Sequence, residues 1–370
     1  MSALLELTRH GQSIWLDNLS RMHLREGVLR EMIQSDGVSG VTSNPSIFHK
    51  AVTESAGYAD DLAWQRANEL VRERRYEALV IADVQAACDL LLPVFDRSRG
   101  DDGYVSLEVS PRLAHDESAT IAAAKRLAQA VGRSNLLIKV PGTRQGLAAF
   151  EHLIAEGVSV NVTLLFSLHQ VVRTFEAYTR GLKARLKQGG EADNIKAVAS
   201  IFLSRVDTLV DKKLEAIGTA PALALRGKTA VAMAKLAYQR YLEMFHGDHF
   251  GDLAQAGCRR QYLLWASTGT KNPDYSDVKY IEALIGPDTV NTAPLETLDA
   301  YRDHGNPKAR LEQDVEKAYW VLEQLPMLGI HIDEVTRQLE NEGVDKFEKA
   351  FDKLMATIAQ RSQPRSTEVP

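Results

Sequence analysis

Short apolar runs alternate along the chain with longer segments of helical period. The apolar runs predict eight strands, at 13–18, 40–46, 104–111, 136–141, 158–166, 197–202, 262–267 and 288–294. Several runs are apolar on both sides of the pleat, as expected where helices cover a parallel sheet. Strands that alternate with helices indicate βαβ units. Eight of them favour an α/β fold of the closed (β/α)₈ TIM type over an open sheet.

The intervening segments repeat apolar residues three and four positions apart, which is typical of helices. They predict helices at 118–132, capped by Ser118, at 167–190, capped by Ser167, and at 227–245. Two longer segments predict inserted helices at roughly 47–103 and a helical C-terminal extension at roughly 305–360, with an amphipathic helix at 342–360. We expect one barrel domain over 1–360 and a disordered polar tail at 361–370.

The composition narrows the class of protein. The chain has 370 residues, is 45% hydrophobic and 25% charged, and carries a net charge of −5 with scattered Lys and Arg, which argues against a nucleic-acid partner. The first residues lack the pattern of a signal peptide. No apolar run approaches about 18 residues, so we expect no membrane span; the run at 80–95 is broken by Asp83, Gln85 and Asp89. Two distant cysteines, Cys88 and Cys258, suggest reduced thiols and a cytoplasmic protein.

Polar residues recur at or near the ends of seven successive predicted strands. In a barrel of this type, groups at the carboxyl ends of the strands converge on one mouth. One polar residue in an apolar strand is usually a satisfied core group, but seven strands sharing the feature indicate a site. The residues are, in strand order, Asp17, Asn44, Glu108, Lys139, Asn161 with Thr163, Ser200 and Ser267.

Lys139 is the most unusual of these residues, because it interrupts the apolar run LLIKVP at 136–141. Burial disfavours an ammonium group and frees an amine that can attack a ketone. Asp17 and Glu108 could supply the proton transfers that Schiff-base chemistry needs. A structural ion pair with one of these carboxylates explains Lys139 equally well, because structural networks also perturb ionisable groups.

Several motifs resemble those of the transaldolase family, in order and over nearly the whole chain. They are GVTSNPSIF (40–48), SLEVSPRLAHD (106–116), LLIKVPGTRQGLAAF (136–150), VNVTLLFS (160–167), SIFLSRVD (200–207) and VDKFEKAFDKLM (344–355). The resemblance implies a (β/α)₈ barrel of the longer bacterial branch that uses no metal or organic cofactor. It implies transfer of a dihydroxyacetone unit in the non-oxidative pentose phosphate pathway. The implied donor is sedoheptulose 7-phosphate or fructose 6-phosphate, and the implied acceptor is glyceraldehyde 3-phosphate or erythrose 4-phosphate.

The resemblance also assigns roles within the reaction. Lys139 matches the Schiff-base lysine, and Asp17 matches the acid/base residue that removes the proton of the C4 hydroxyl. Glu108 matches a carboxylate that, with Thr163, positions a water for proton shuttling. The groups that match those holding the dihydroxyacetone hydroxyls are Asn44, Asn161 and Ser200.

For the phosphate, the resemblance points to Arg205 and Ser267, and a guanidinium suits the paired oxygens of that group. The better-studied branch has a second arginine just after the position of Ser267. This chain instead reads ASTGTKNP at 266–273, where Lys271 is the nearest cation. Lys271 could replace the arginine as a point charge.

Two other functions remain open at this stage. One is a fructose-6-phosphate aldolase-like lyase that releases free dihydroxyacetone. Such relatives are much shorter and carry glutamine at the position of Glu108 and tyrosine at that of Phe202, so the sequence favours transfer. The other is a non-enzymatic barrel, which we would expect to have lost part of the strand-end set. The protein is expected to be a monomer or a homodimer.

Two weaker motifs point elsewhere. The run RGKTA at 226–230 ends like a P-loop, but position 222, where the first glycine of that motif would fall, is Ala222. The run HGDH at 246–249 could be part of a metal site, but it lies in a polar segment rich in Gly and Asp, where a solvated loop is the simpler interpretation.

Overall fold

The structure is a computed structural model that describes residues 2–68 and 72–361. Apart from Arg361, the tail expected to be disordered lies outside the described residues. Eight parallel strands form a closed barrel in chain order, with β1 paired to both β2 and β8. The strands are β1 (Gln12–Asp17), β2 (Val38–Thr42), β3 (Val105–Glu108), β4 (Leu136–Pro141), β5 (Val160–Leu165), β6 (Ala197–Phe202), β7 (Tyr262–Ala266) and β8 (Thr289–Ala293). The predicted (β/α)₈ barrel is confirmed.

Seventeen α-helices lie within the described ranges, and most of them cover the barrel from outside. Those up to the fourth strand are α1 (Ala3–Arg9), α2 (Arg21–Arg25), α3 (Val28–Ser35), α4 (Pro45–Glu54), α5 (Ala59–Ala67), α6 (Arg72–Arg97) and α7 (Glu117–Val131). The others are α8 (Arg144–Ala155), α9 (Leu168–Lys187), α10 (Ser204–Ile217), α11 (Ala220–Leu223), α12 (Thr229–Phe245), α13 (Gly251–Gln255), α14 (Lys279–Glu282), α15 (Leu295–His304), α16 (Val315–Met327) and α17 (Ile332–Arg361). Thus α4 to α6 lie between β2 and β3, and α15 to α17 follow β8.

The strands around the centre of the sequence are buried on both faces. Every residue of β4, β5 and β6 is buried, because side chains on one face fill the barrel and those on the other pack under the helices. In the register of these strands, Glu108 lies opposite Lys139 and Lys139 opposite Asn161. Residues paired in this way share a face of the sheet. The register therefore places three polar side chains in one row across β3, β4 and β5.

At two of the boundaries that differ from the sequence prediction, the capping group was misassigned. Strand β2 ends at Thr42, and Asn44 is the N-cap of α4, accepting hydrogen bonds from the backbone N–H groups of Ser46 and Ile47. Helix α7 is capped by Asp116, whose side chain accepts from the N–H of Ala119, and not by Ser118. Asn and Asp are strong N-cap residues, because a short side-chain oxygen can satisfy an otherwise unpaired N–H. The prediction of Ser167 as the cap of α9 is confirmed.

The C-terminal helix α17 lies across the mouth of its own barrel. It packs against α4, α6, α10 and β5. At Gly343, a Cβ would lie 3.2 Å from Leu164 Cδ2 and 3.4 Å from Phe166 Cε2, so a glycine permits the close approach of the helix to β5. At the C-terminal end of the helix, the guanidinium of Arg361 donates to the carbonyls of Thr53 and Ser55. The helix is thereby held against β5 at Gly343 and beside α4 at Arg361.

Helix α6 modifies the expectation about membrane spans. Among the described residues, its part from Arg74 to Arg97 is long and apolar enough to cross a membrane, by length and composition only. The core helix of a water-soluble protein passes the same test, so the finding is weak evidence. Asp83 within this segment is buried, pairs with Arg21 at 2.7 Å and accepts from the hydroxyl of Tyr58 at 2.8 Å. The helix also packs on β3, α7 and α17, as a core helix does.

Candidate active site

Lys139 lies inside the mouth of the barrel with only 5% of its surface exposed. Its Nζ donates a hydrogen bond to the carbonyl of Ser43 at 3.1 Å and lies 6.0 Å from the centre of the Phe347 ring. Among the described residues, no carboxylate oxygen lies within 4.0 Å of this nitrogen. The sequence left two interpretations of Lys139 open, and one of them was a direct structural ion pair. The described part of the structure does not contain that ion pair.

Two carboxylates near Lys139 have a raised pKa; Glu108 is buried and Asp17 is partly buried. Burial raises the pKa of Asp17, against the opposing effects of Lys139 and of the Thr42 hydroxyl, which donates to Asp17 at 2.8 Å. Burial likewise raises the pKa of Glu108 to about 7, again opposed by Lys139, while Asp17 raises it further. Groups with a pKa close to neutral can both take and give protons. The surroundings thus prepare Glu108 for acid/base work near neutral pH.

The next two strands supply amide and hydroxyl groups. The hydroxyl of Ser200 donates to Asn161 Oδ1 at 2.6 Å, and Asn161 Nδ2 donates to the hydroxyl of Ser106 at 3.1 Å. Thr163 is fully buried, and its hydroxyl has no hydrogen-bond partner among the described protein atoms. Leu164 beside it has a φ of 61°, and the register of β5 against β6 shifts there. Such a bulge re-aims the neighbouring side chain.

The cationic end of the site lies at the start of α10. The Arg205 guanidinium is 5.0 Å from the centre of the Phe202 ring and 5.7 Å from that of Phe347, and burial lowers its pKa. Its Nη1 is buried without a partner among the described atoms. Ser267 follows β7 with a φ of 55° and shares a 2.8 Å hydrogen bond with the Ser204 hydroxyl. A partly buried guanidinium with an unpaired donor is suited to an anion.

One cavity of about 220 Å³ joins most of the predicted residues. Those lining it are Asp17, Asn44, Lys139, Ser200, Phe202, Arg205, Ser267 and Lys271. The other three predicted residues do not line it. Asn161 lies behind Ser200, Thr163 is enclosed in β5, and Glu108 lines a smaller neighbouring cavity of about 120 Å³ with Tyr76 and Phe351. The structure thus brings a lysine, a carboxylate and two cations together in one polar mouth.

Comparison with known proteins identifies the family. The model of the transaldolase/fructose-6-phosphate aldolase family matches residues 14–358. The chain belongs to this family. It is 57% identical to a transaldolase of Thiobacillus denitrificans over 358 residues, which cover 97% of this chain and all of that protein. It is 47% identical to transaldolase 2 of Nostoc punctiforme, covering 96% of each chain, and 45% identical to a transaldolase of Neisseria gonorrhoeae, covering 97% of this chain and all of the relative. The predicted resemblance to the transaldolase family is confirmed.

Several residues of this transaldolase-family site were not predicted from the sequence. Thr42 orients Asp17 and shares a 2.7 Å hydrogen bond with Thr292, and both line the cavity. Glu296 lines it from α15 and raises the pKa of Asp17. Phe347 reaches the cavity from α17. Phe347 gives no signal in the sequence, because it is an apolar residue on the apolar face of a helix. Thr42 could have been predicted, because it lies at the end of a strand, two residues before Asn44.

Proposed function

We propose that the protein is a transaldolase that works through a Schiff base on Lys139. It transfers a dihydroxyacetone unit from sedoheptulose 7-phosphate or fructose 6-phosphate to glyceraldehyde 3-phosphate or erythrose 4-phosphate. The observation that carries the proposal is the position of Lys139, buried at 5% exposure in one cavity with Asp17 and Arg205. The relatives that share this chain's full length and are named transaldolase support the same reaction. The enzyme acts in the cytoplasm, as a monomer or a homodimer.

The first step joins donor and enzyme. The neutral amine of Lys139 attacks the C2 carbonyl of the ketose phosphate, and the carbinolamine loses water to give an imine. Proton transfers to the departing oxygen pass through a water held by Glu108 and Thr163. The buried oxygens Glu108 Oε2 and Thr163 Oγ1 have no partner among the described protein atoms, which leaves both free for this role.

The second step breaks the carbon chain. Asp17 removes the proton of the C4 hydroxyl, the C3–C4 bond breaks, and the aldose phosphate leaves with the new aldehyde group. The electron pair of that bond stays on the lysine-bound three-carbon unit, where the protonated imine stabilises it. Addition of this unit to the acceptor aldehyde, followed by hydrolysis, reverses the sequence. Because Thr42 donates to Asp17 Oδ1, the other carboxylate oxygen is the one left to accept the proton of the C4 hydroxyl.

The remaining groups hold the substrate during transfer. Amides and hydroxyls both donate and accept, which suits the hydroxyls of a dihydroxyacetone unit. Asn44 has its Oδ1 engaged by the α4 backbone, so its amide nitrogen is the group left to donate. Asn161 and Ser200 act as a bonded pair. The phosphate is bound by Arg205, Ser267 and Lys271, with Lys271 acting as a point charge at the edge of the cavity.

The hypothesis that the protein is a lyase is less well supported. Phe202 lies in the wall of the cavity beside Arg205, where the lyase branch carries tyrosine, and the full-length relatives bear the name transaldolase. An assay of fructose 6-phosphate cleavage with and without an aldose phosphate acceptor separates the two reactions. Cleavage that needs the acceptor supports transfer, whereas equally fast cleavage without it overturns the transferase proposal.

Borohydride trapping tests the nucleophile directly. Reduction in the presence of fructose 6-phosphate attaches a three-carbon adduct to Lys139, identified by the mass of the peptide. The Lys139→Met variant should fold, bind no adduct and lose essentially all transfer activity. Lys196→Met is the comparison, because it removes another buried lysine, one that pairs with Asp101 away from the mouth. In the wild type, Lys196 should carry no adduct. An adduct on another lysine, or near-normal activity of Lys139→Met, would contradict the proposal.

A further inference from the structure

A second cavity, of about 300 Å³, lies on the outside of the barrel between α12 and α16. It shares no lining residue with the mouth cavity. Its apolar wall comes from Val231, Ala232, Ala283, Ala318 and Val321. The volume reaches the lower end of the range for small-molecule sites, which are mostly apolar with a few placed polar groups.

The charged residues around this cavity are unbalanced. Five cations line it, and among its described lining residues Asp314 is the one carboxylate; the cations are Lys228, Lys235, Lys279, Arg310 and Lys317. One cation is neutralised, because Lys279 pairs with Asp207 at 2.7 Å. Arg310 donates to the carbonyls of Glu282 and Asn306 and forms no ion pair among the described residues. The cavity is therefore electropositive above an apolar wall.

Lys235 is the most buried of these cations and the one whose position needs an explanation. Its side chain comes from α12, only 8% of the residue is exposed, and its Nζ donates to the carbonyls of Arg310 and Gln313 at 2.5 Å each. An ammonium has three donors, so one remains. Among the described residues Lys235 forms no ion pair; Asp314 attracts its charge from beyond ion-pair distance, and Lys317 repels it. This buried ammonium therefore has no anion in direct contact, and an anion in the cavity could take that position.

The run RGKTA at 226–230 lies beside this cavity. Lys228 follows Gly227 at the start of α12 and is exposed at the rim of the cavity. The N–H of Ala230 is already taken by Asp207 at 2.8 Å, so the start of α12 does not cradle a phosphate as a P-loop does. The side-chain ammonium groups of Lys228 and Lys317, and not the helix backbone, provide the charge at the rim.

We propose that this cavity binds a small organic anion that combines a phosphate or carboxylate with an apolar body. The apolar body lies on the wall formed by α12 and α16. The anionic group lies among Lys228, Lys235 and Lys317, where it takes the remaining donor of Lys235. The site is separate from the mouth and does not depend on the proposed reaction.

Phenyl phosphate is a suitable probe, with its binding measured by ligand-observed NMR and calorimetry. The measurements use the Arg205→Ala variant, so that phosphate binding at the mouth does not contribute. We expect saturable binding with a Kd of about 1 mM or tighter. Inorganic phosphate, which lacks the apolar body, and benzyl alcohol, which lacks the charge, should each bind at least about tenfold more weakly.

Variants locate the site. The double variant Lys228→Ala/Lys317→Ala in the same background should weaken phenyl phosphate binding about tenfold, and Val231→Trp, which fills the cavity, should abolish it. Lys183→Ala/Lys187→Ala removes two exposed lysines of α9 as a matched control and should leave binding unchanged. In an otherwise native chain, Lys228→Ala/Lys317→Ala should keep normal transfer activity. The proposal is overturned if the Arg205→Ala protein shows no saturable binding, if both cavity variants bind normally, or if either simpler probe binds as tightly as phenyl phosphate.

Discussion

At the scale of single residues, the environment of Glu108 sets the pH dependence of the reaction. Burial raises its pKa to about 7, and its ionised form is the one that can accept a proton. We therefore expect kcat/KM to rise as the pH increases through about 7. In Glu108→Gln this acid limb should disappear and kcat should fall by about 10²- to 10⁴-fold, the usual contribution of a general acid/base. Steady-state kinetics across the pH range measure both effects.

A matched substitution distinguishes acid/base catalysis by Glu108 from a general effect of removing a carboxylate from the mouth of the barrel. Glu296→Gln also removes a carboxylate that lines the cavity, but we assign Glu296 no proton transfer. The pH profile of kcat/KM for Glu296→Gln should keep the acid limb. If Glu108→Gln retains a limb near pH 7 as well, another group controls the titration and the assignment of Glu108 is wrong.

Thr163 allows function and stability to be separated at one residue. Its buried hydroxyl has no partner among the described protein atoms, so Thr163→Val leaves no other protein group unpaired. We expect the free energy of unfolding to change by no more than about 1 kcal/mol, while activity falls at least about tenfold. Urea denaturation and transfer assays measure the two quantities.

Thr120→Val provides the comparison for Thr163→Val. Thr120 is equally buried but lies on α7, and its hydroxyl donates to the carbonyl of Leu113 at 2.9 Å. Removing that donor should cost about 1–3 kcal/mol of stability and leave activity normal. Full activity in Thr163→Val would remove this residue from the mechanism.

At the scale of elements, α17 determines how well the mouth is closed. Phe347 of this helix is buried between Lys139 and Arg205. Water excluded from the lysine cannot hydrolyse the three-carbon intermediate before an acceptor arrives. In Phe347→Ala we expect the ratio of free dihydroxyacetone release to transfer to rise at least about tenfold. The ratio is independent of the fraction of folded protein, so it isolates closure from stability.

Leu354→Ala is the control on the same helix. Leu354 is fully buried, and it does not line the mouth cavity. Its truncation should cost about 2–5 kcal/mol of stability without changing the ratio of release to transfer. An unchanged ratio in Phe347→Ala, or an equal rise in both variants, would show that α17 does not control access of water.

The elements also show how far the sequence could predict the structure. Strands such as β4 and β6 were predicted to their ends, because a buried strand is a continuous apolar run bounded by polar or turn residues. The start of α4 was assigned to β2, because Asn44 can end a strand or cap a helix and only the structure distinguishes the two. The mouth was predictable, since the strand order of a barrel brings polar strand ends together. The bulge at Leu164 and the position of Phe347 were not, because neither follows from a local pattern: Leu164 packs beside Gly343 of α17, and Phe347 lies between Lys139 and Arg205.

At the scale of the whole molecule, the site reduces the stability of the fold at neutral pH. The pKa of Glu108 rises from 4.5 to about 7 on folding, so folding favours its protonated form. This contribution to stability is present below about pH 4.5 and is lost as the pH rises through about 7. Glutamine resembles the protonated form at every pH. Glu108→Gln should therefore gain stability over the wild type as the pH rises, by up to about 3 kcal/mol at about pH 8 relative to about pH 4.

Glu156→Gln should change in the opposite direction and by less than about 1 kcal/mol, since Lys125 lowers the pKa of Glu156 at the surface. Urea denaturation at each pH measures these differences, and a pH-independent difference between Glu108→Gln and the wild type would mean that Glu108 titrates normally.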